Sequence, residues 1–208
     1  MSDKIVAAYV VRHGRTQLNA DGCFRGNKDV PLDSTGISDA YHLSHLFSNI
    51  DISSIFCSDR QRATKTAEII ANRKLPVTMS KNLRALDIGD FSGTKRTPDS
   101  EAELQQYLDD PDCQIPGGET LNNFKSRVRP CIREAVDLFM DCGYPPLIVG
   151  HSSIIHETGD MLHGDHKSIL VHPGGVVAIY MDKDGKIGAE PIYKPIVPPP
   201  GKQSETIS

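Results

Sequence analysis

No stretch of this 208-residue chain approaches the ~18 consecutive apolar residues of a membrane-spanning helix. Basic residues are not in excess: 23 lysines and arginines face 27 aspartates and glutamates, for a formal net charge of −4. That balance argues against a nucleic-acid or anionic-membrane partner, because either calls for a basic face. Any anion site must therefore be local. The five cysteines (Cys23, Cys57, Cys113, Cys131 and Cys142) are odd in number, scattered, and without a C-x-x-C pair. They suit free thiols in a reducing compartment better than a disulfide framework. Met1 to Lys4 is short and polar with no apolar core behind it, so no secretory signal is read. Internal repeats and long linkers are also lacking. These absences point to a cytoplasmic protein. What is present is globular: 38% hydrophobic and 24% charged residues, with length enough for one α/β domain that folds without staples.

Ile5 to Val11 is a continuous β-branched apolar run, the pattern of a buried strand, and it ends in Arg12-His13-Gly14. Ile37, Ala40, Leu43 and Phe47 recur at helical steps, predicting a helix capped near Ser34 or Thr35. Ile52 to Cys57 is a second strand, followed by a helix capped at Ser58 or Asp59 with Ala63, Ala67, Ile70 and Ala71 inside. Leu75 to Met79 is a third strand. Phe124, Val128, Ile132, Ala135 and Phe139 mark a long helix starting near Glu119 or Thr120. Pro146 to Gly150 resumes strand character through Leu147, Ile148 and Val149, and Ser152 to Leu162 is helical. Val176 to Met181 and Ile187 to Ile192 bracket Asp182-Lys183-Asp184-Gly185, a hairpin signal. The alternation predicts an α/β three-layer sandwich: a mainly parallel mixed sheet, helices on both faces, and an antiparallel edge strand. Residues 1–194 are expected to form one domain, with 94–115 as a cap insertion carrying a helix near 101–109. Residues 195–208 form a proline-rich tail expected to be flexible.

Three polar clusters each come just after the carboxyl end of a predicted strand: Arg12-His13-Gly14, Ser58 to Arg62, and His151-Ser152. Ligands of open α/β sheets bind at that edge, so these loops can converge. The convergent set is Arg12, Arg62, His13, His151, Thr16 and Asn19, an anion pocket in its chemistry. Guanidiniums offer charged forks for phosphate oxygens. The amide ends of helices near Ser58 and Ser152 add donors. A neutral imidazole there can attack phosphorus while a protonated one offsets developing charge.

Val11-Arg12-His13-Gly14-Arg15-Thr16 with Asn19 resembles the signature of the histidine phosphatase superfamily, the phosphoglycerate mutase-like enzymes. Other segments resemble further family motifs in the same order. They are Phe24-Arg25-Gly26 with Asp29-Val30-Pro31-Leu32 and Thr35-Gly36; Cys57-Ser58-Asp59 with Arg62-Ala63 and Thr66-Ala67; Pro116-Gly117-Gly118-Glu119-Thr120 with Phe124 and Arg127-Val128; and Val149-Gly150-His151-Ser152. The resemblance implies that His13 becomes phosphorylated while Arg12, Arg62 and His151 bind the phosphoryl group. Thr16, Asn19 and the Ser152 amide become supporting contacts, and Arg25 and Gly26 part of the substrate loop. Neither cofactor nor metal is implied.

One position departs from the family pattern. The glutamate that protonates the leaving group usually comes after Leu83-Arg84, and here Ala85 stands there. Asp87 is the nearest carboxylate and the candidate substitute; alternatively no acid is needed because the leaving group is already good. A general acid commonly contributes ~10²–10⁴-fold.

Simpler readings of other residues prevail. His42 with His45, and His163 with His166, lack helix-face spacing with a carboxylate ligand and are read as surface histidines. Asp182 to Gly185 resembles a calcium loop, but its glycine is at the wrong offset and Tyr193 takes the twelfth position. Around Ser152, a serine-hydrolase elbow needs glycine where Ile154 stands. The expected function is hydrolysis of a phosphomonoester through phosphohistidine on His13, without a metal. The alternatives are a phosphoglycerate-type mutase and a non-catalytic phospho-ligand binding protein. The expected partner is a small phosphate ester, with a phosphoprotein as the other candidate. Asp99, Glu101, Glu103, Asp109 and Asp110 make the cap acidic, which disfavours highly anionic substrates if that face meets the pocket.

Overall fold

The computed structural model describes residues 4–165 and 168–195; His166 and tail residues 196–208 lie outside the described residues. Six strands form one sheet: β1 (Ile5–Arg12), β2 (Ile55–Ser58), β3 (Val77–Ser80), β4 (Leu147–Gly150), β5 (Val176–Met181) and β6 (Ile187–Tyr193), in the order β3-β2-β4-β1-β5-β6. β1 to β4 are mutually parallel, and β5 runs against both β1 and β6. The mixed sheet is as the sequence implied, with one refinement: the reversed strand is β5, and the edge strand β6 pairs with it as a hairpin.

The parallel strands are apolar on both sides because both faces are covered. Ala8, Val10, Ile148, Val177 and Ile179 join one core with Phe124, Val128 and Ile132 of α5 (Leu121–Cys142) and with Ile154 and Ile155 of α6 (Ser152–His163). Their strand neighbours Tyr9, Val11, Leu147, Val149, Val176 and Ala178 point the opposite way. There they meet Leu43 of α2 (Ser34–Leu46) and Ala63, Ala67 and Ile70 of α3 (Gln61–Ala71). This period-two alternation makes the three layers.

Caps moved where tertiary partners intervened. Asp33, one residue before the expected serine, caps α2 by accepting the Gly36 amide at 2.8 Å. At α3 the N-cap is Arg60, and the Gln61 amide donates to Asp29 Oδ1 at 2.9 Å from a distant loop. Thr120 caps α5 as expected, accepting from the Asn123 amide at 3.0 Å. Two further α-helices complete the chain order among the described residues: α1 (Gln17–Ala20), after β1, and α4 (Pro98–Asp109), between β3 and α5. The five cysteines are free. Among the described residues no helix is long and apolar enough to cross a membrane.

Candidate active site

The register of β1 on β4 pairs Arg12 with Gly150, so the residues just past each strand emerge side by side. The His13 amide donates to the Gly150 carbonyl at 2.9 Å. The His13 and His151 rings then meet edge to face, with centroids 5.2 Å apart. β2 pairs with β4 on its other side, and the chain turns after Ser58 into α3, which carries Arg62 to the same place. Gly14 has no room for a side chain, because a Cβ there would run into the Gly36 backbone at the start of α2.

His13 is fully buried, and its Nδ1 lies 2.6 Å from the Gly14 carbonyl. A carbonyl only accepts, so the proton sits on Nδ1 and Nε2 keeps its lone pair. Arg62 agrees, since its Nε donates to His13 Nε2 at 3.2 Å. Arg62 is itself fully buried and directs its other donors to the loop before α2, to the Lys28 carbonyl at 2.6 Å and the Gly26 carbonyl at 3.0 Å. Arg12 donates to the Val171 carbonyl at 2.7 Å. Burial first, then the charges of Arg62, Arg25 and Arg12, push both histidines well below the ordinary histidine pKa. His13 is therefore a neutral imidazole at pH 7. Among the described residues, neither ring nitrogen of the buried His151 nor Arg12 Nε has a hydrogen-bond partner. Buried polar groups are seldom left so.

A cavity of about 480 Å³ opens at His151, lined also by Arg62, Ser152, Arg25 and Gly26; His13 and Arg12 are not among its lining residues. Gly26, at φ +50°, holds a backbone that suits glycine and presents its carbonyl to Arg62. Thr16 and Asn19 bond each other at the start of α1, with Asn19 Oδ1 accepting the Thr16 amide at 3.1 Å, and neither lines the cavity. Asp87 is also not a lining residue; its Oδ1 accepts the Gly89 amide at 3.1 Å. Ala85 faces the cavity instead, so the structure does not bring Asp87 to the position where an acid was sought. Of the acidic residues between 94 and 115, Glu101 and Asp109 line the cavity, but Glu101 is paired with Arg96 at 3.4 Å and Asp109 accepts from Gln105 at 2.8 Å, so their bar to an anionic substrate is partly offset.

Sequence reasoning missed two contributors. Arg96 lines the cavity, stacked over the Phe24 ring at 4.6 Å, and its charge is felt at Arg12 and Arg25. It gets there because Cys23 bridges Lys95 and the Arg96 amide donates to the Gly22 carbonyl at 2.9 Å. Arg127 of α5 clamps the cavity wall, donating to the carbonyls of Asn82, Arg84 and Ala85 at 2.9, 2.8 and 2.8 Å. Glu119 orients Arg127 and accepts the Asp87 amide at 2.9 Å. Their place in the glycine-rich helix-start motif was the one available signal. Among the described residues no group of three or more His, Cys, Asp or Glu could hold a metal ion.

Residues 8–184 match the model of the histidine phosphatase superfamily, branch 1, and the chain belongs to that family. A protein of Salmonella choleraesuis (strain SC-B67), described as the probable phosphoglycerate mutase GpmB, is 33% identical over 154 residues, 71% of this chain and 70% of that one. Among solved structures, phosphoglycerate mutase from Bacillus anthracis (strain Sterne) superposes with a TM-score of 0.74 at 25% identity, covering 92% of this chain and 93% of that one. A mycobacterial glucosyl-3-phosphoglycerate phosphatase in complex with VO3 gives 0.75 at 21% identity over 93% of this chain and 99% of that chain, a likeness of fold.

Proposed function

We propose that the protein is a phosphatase that carries the phosphoryl group on Nε2 of His13. The observation that carries this is the state of His13: buried, neutral, its Nδ1 proton given to the Gly14 carbonyl and its Nε2 lone pair beside Arg62 and His151. A binding site alone needs the arginines; it does not need an imidazole held in its nucleophilic tautomer. In this reading Nε2 attacks phosphorus, a P–N bond forms and the ester P–O bond breaks. Arg12 and Arg62 balance the phosphoryl oxygens, and the unpartnered nitrogens of His151 supply the remaining contact. Water then attacks phosphorus, and the P–N electron pair returns to Nε2. Thr16 and Asn19 hold the loop after β1, Ser152 brings the amide end of α6, and Arg25 and Gly26 form the substrate loop. No step requires a metal. A concave cavity of about 480 Å³, partly roofed by α4 as a cap, suits a small molecule in the cytoplasm better than a phosphoprotein.

Hydrolysis of p-nitrophenyl phosphate in EDTA by the parent and His13→Ala tests this reading. Turnover that falls by ~10³ or more in the variant supports it, a loss of about 4 kcal/mol of transition-state stabilisation. Equal turnover in both proteins would remove His13 from the mechanism.

The kinship with proteins described as mutases favours a second reading, in which phosphohistidine returns its group to a bound acceptor. The lifetime of the phosphoenzyme separates the two: a mutase must shelter it from water, and a phosphatase must not.

A further inference from the structure

The cavity is rich in cations near His13 and has no free acid there. Its lining carboxylates are Glu101, Asp109, Glu157 and Asp160. Glu157 accepts Arg129 Nε at 2.5 Å, and Asp160 accepts Lys125 at 2.9 Å and Arg129 at 2.8 Å. Burial raises the Glu157 pKa, but six residues along α6 place it ~9 Å beyond His151, out of reach of a bond breaking at His13. Asp109 accepts from Gln105 Nε2 at 2.8 Å, and Glu101 pairs with Arg96 at 3.4 Å. Ala85, a side chain with nothing to donate, faces the cavity. No lining carboxylate is therefore placed to protonate an alcohol expelled at His13.

Two guanidiniums line the same cavity. Arg25 lines the cavity next to Arg62 and has no acidic partner among the described residues. Arg96 lies near enough to lower the pKa of both Arg12 and Arg25, while its own acidic partner, Glu101, is about half exposed. Arg25 is thus buried without a counter-charge of its own, and an anion in the cavity would supply one.

We infer that the scissile bond is a phosphoanhydride, the terminal bond of a diphosphate, whose leaving phosphate is received by Arg25 and Arg96. This rests on the phosphohistidine reading above. His13 Nε2 attacks the terminal phosphorus, the P–N bond forms, and the bridging P–O bond breaks with its electron pair on the bridging oxygen. That oxygen stays on the departing phosphate, which is stable as an anion and takes no proton from the protein. Water then attacks the phosphohistidine; the electron pair returns to Nε2, the second phosphate forms, and water's proton passes to solvent.

The test compares three probes in EDTA: inorganic pyrophosphate, glycerol 2-phosphate and p-nitrophenyl phosphate. Pyrophosphate is expected to exceed glycerol 2-phosphate at least ~100-fold in kcat/KM, the scale of a missing general acid. Arg96→Gln, at a half-exposed side chain, is expected to lower kcat/KM for pyrophosphate at least tenfold more than for p-nitrophenyl phosphate. Glycerol 2-phosphate cleaved as well as pyrophosphate, or equal losses on both probes in the variant, overturns the inference. Turnover of p-nitrophenyl phosphate without turnover of pyrophosphate overturns it alone. No turnover of any probe overturns the phosphohistidine reading with it.

Discussion

Arg62 Nε donates to His13 Nε2 at 3.2 Å, so the same nitrogen that would receive phosphorus is held by a guanidinium that also holds the loop at Gly26 and Lys28. Nucleophile and substrate loop thus share one buried anchor. Arg62→Met should remove both effects. The carbonyls of Gly26 and Lys28 lose their donor, at about 1–3 kcal/mol for each buried group left unsatisfied. A lowered urea midpoint with faster proteolysis of the 25–29 loop is expected, together with loss of turnover. Unchanged stability would show that the loop does not depend on Arg62.

His13 should be the residue that becomes labelled. Denaturing quench of the enzyme with a phosphoryl donor is expected to yield an acid-labile, base-stable phosphoenzyme, absent in His13→Ala and retained in Asp87→Asn. A label that survives in His13→Ala would point to another nucleophile.

Stability should depend on pH through the two histidines. Both titrate well below 6.5 in the folded chain, because burial and then neighbouring guanidiniums disfavour the charged imidazole. Below pH ~6.5 the unfolded chain therefore binds protons that the native state does not, and stability falls as pH falls. The slope is about 1.4 kcal/mol per pH unit for each histidine, down to its native pKa. Urea melts at several values between pH 5 and 8 check this; full stability is expected above pH ~6.5, and His151→Asn should reduce the slope. Inorganic phosphate should oppose the loss, since an anion among these arginines favours the charged imidazole. A flat profile would contradict the assignment.

Ala85→Glu should restore an acid where the cavity lacks one. The Ala85 backbone is pinned by Arg127 at 2.8 Å, so the new side chain starts from a fixed point. Turnover of glycerol 2-phosphate is expected to rise ~10-fold or more, with a smaller change for p-nitrophenyl phosphate, whose leaving group needs no proton. No differential gain would mean that the cavity is not limited by leaving-group protonation.

Much of this was legible in the sequence. The strands and long helices announce themselves through period-two and helical spacing, and His13, Arg62 and His151 each come shortly after a strand. The rest depended on contacts that no local pattern contains. Arg60 takes the α3 cap position because Asp29 reaches across to the Gln61 amide. Arg96 sits between Gly93 and Pro98, a stretch without periodicity; only pairing of the 22–24 segment with 93–96 brings it beside Arg25. Asp87 is near Ala85 in sequence, but a backbone turn uses its carboxylate for the Gly89 amide. Proximity in the chain was no guide to which side the carboxylate faced.

The strand order β3-β2-β4-β1-β5-β6 sets when the site can come into being. β4 sits between β1 and β2 but is made long after both, so neither has its shared neighbour while the chain is still growing. A nascent chain that stops short of Leu147 leaves two apolar parallel edges open and lacks His151. Such edges recruit other chains. The last of the strands β1 to β4 to be synthesised therefore joins β1 to the β2-β3 pair and brings the histidines together in one event, and fragments ending before it should aggregate rather than act as partial enzymes.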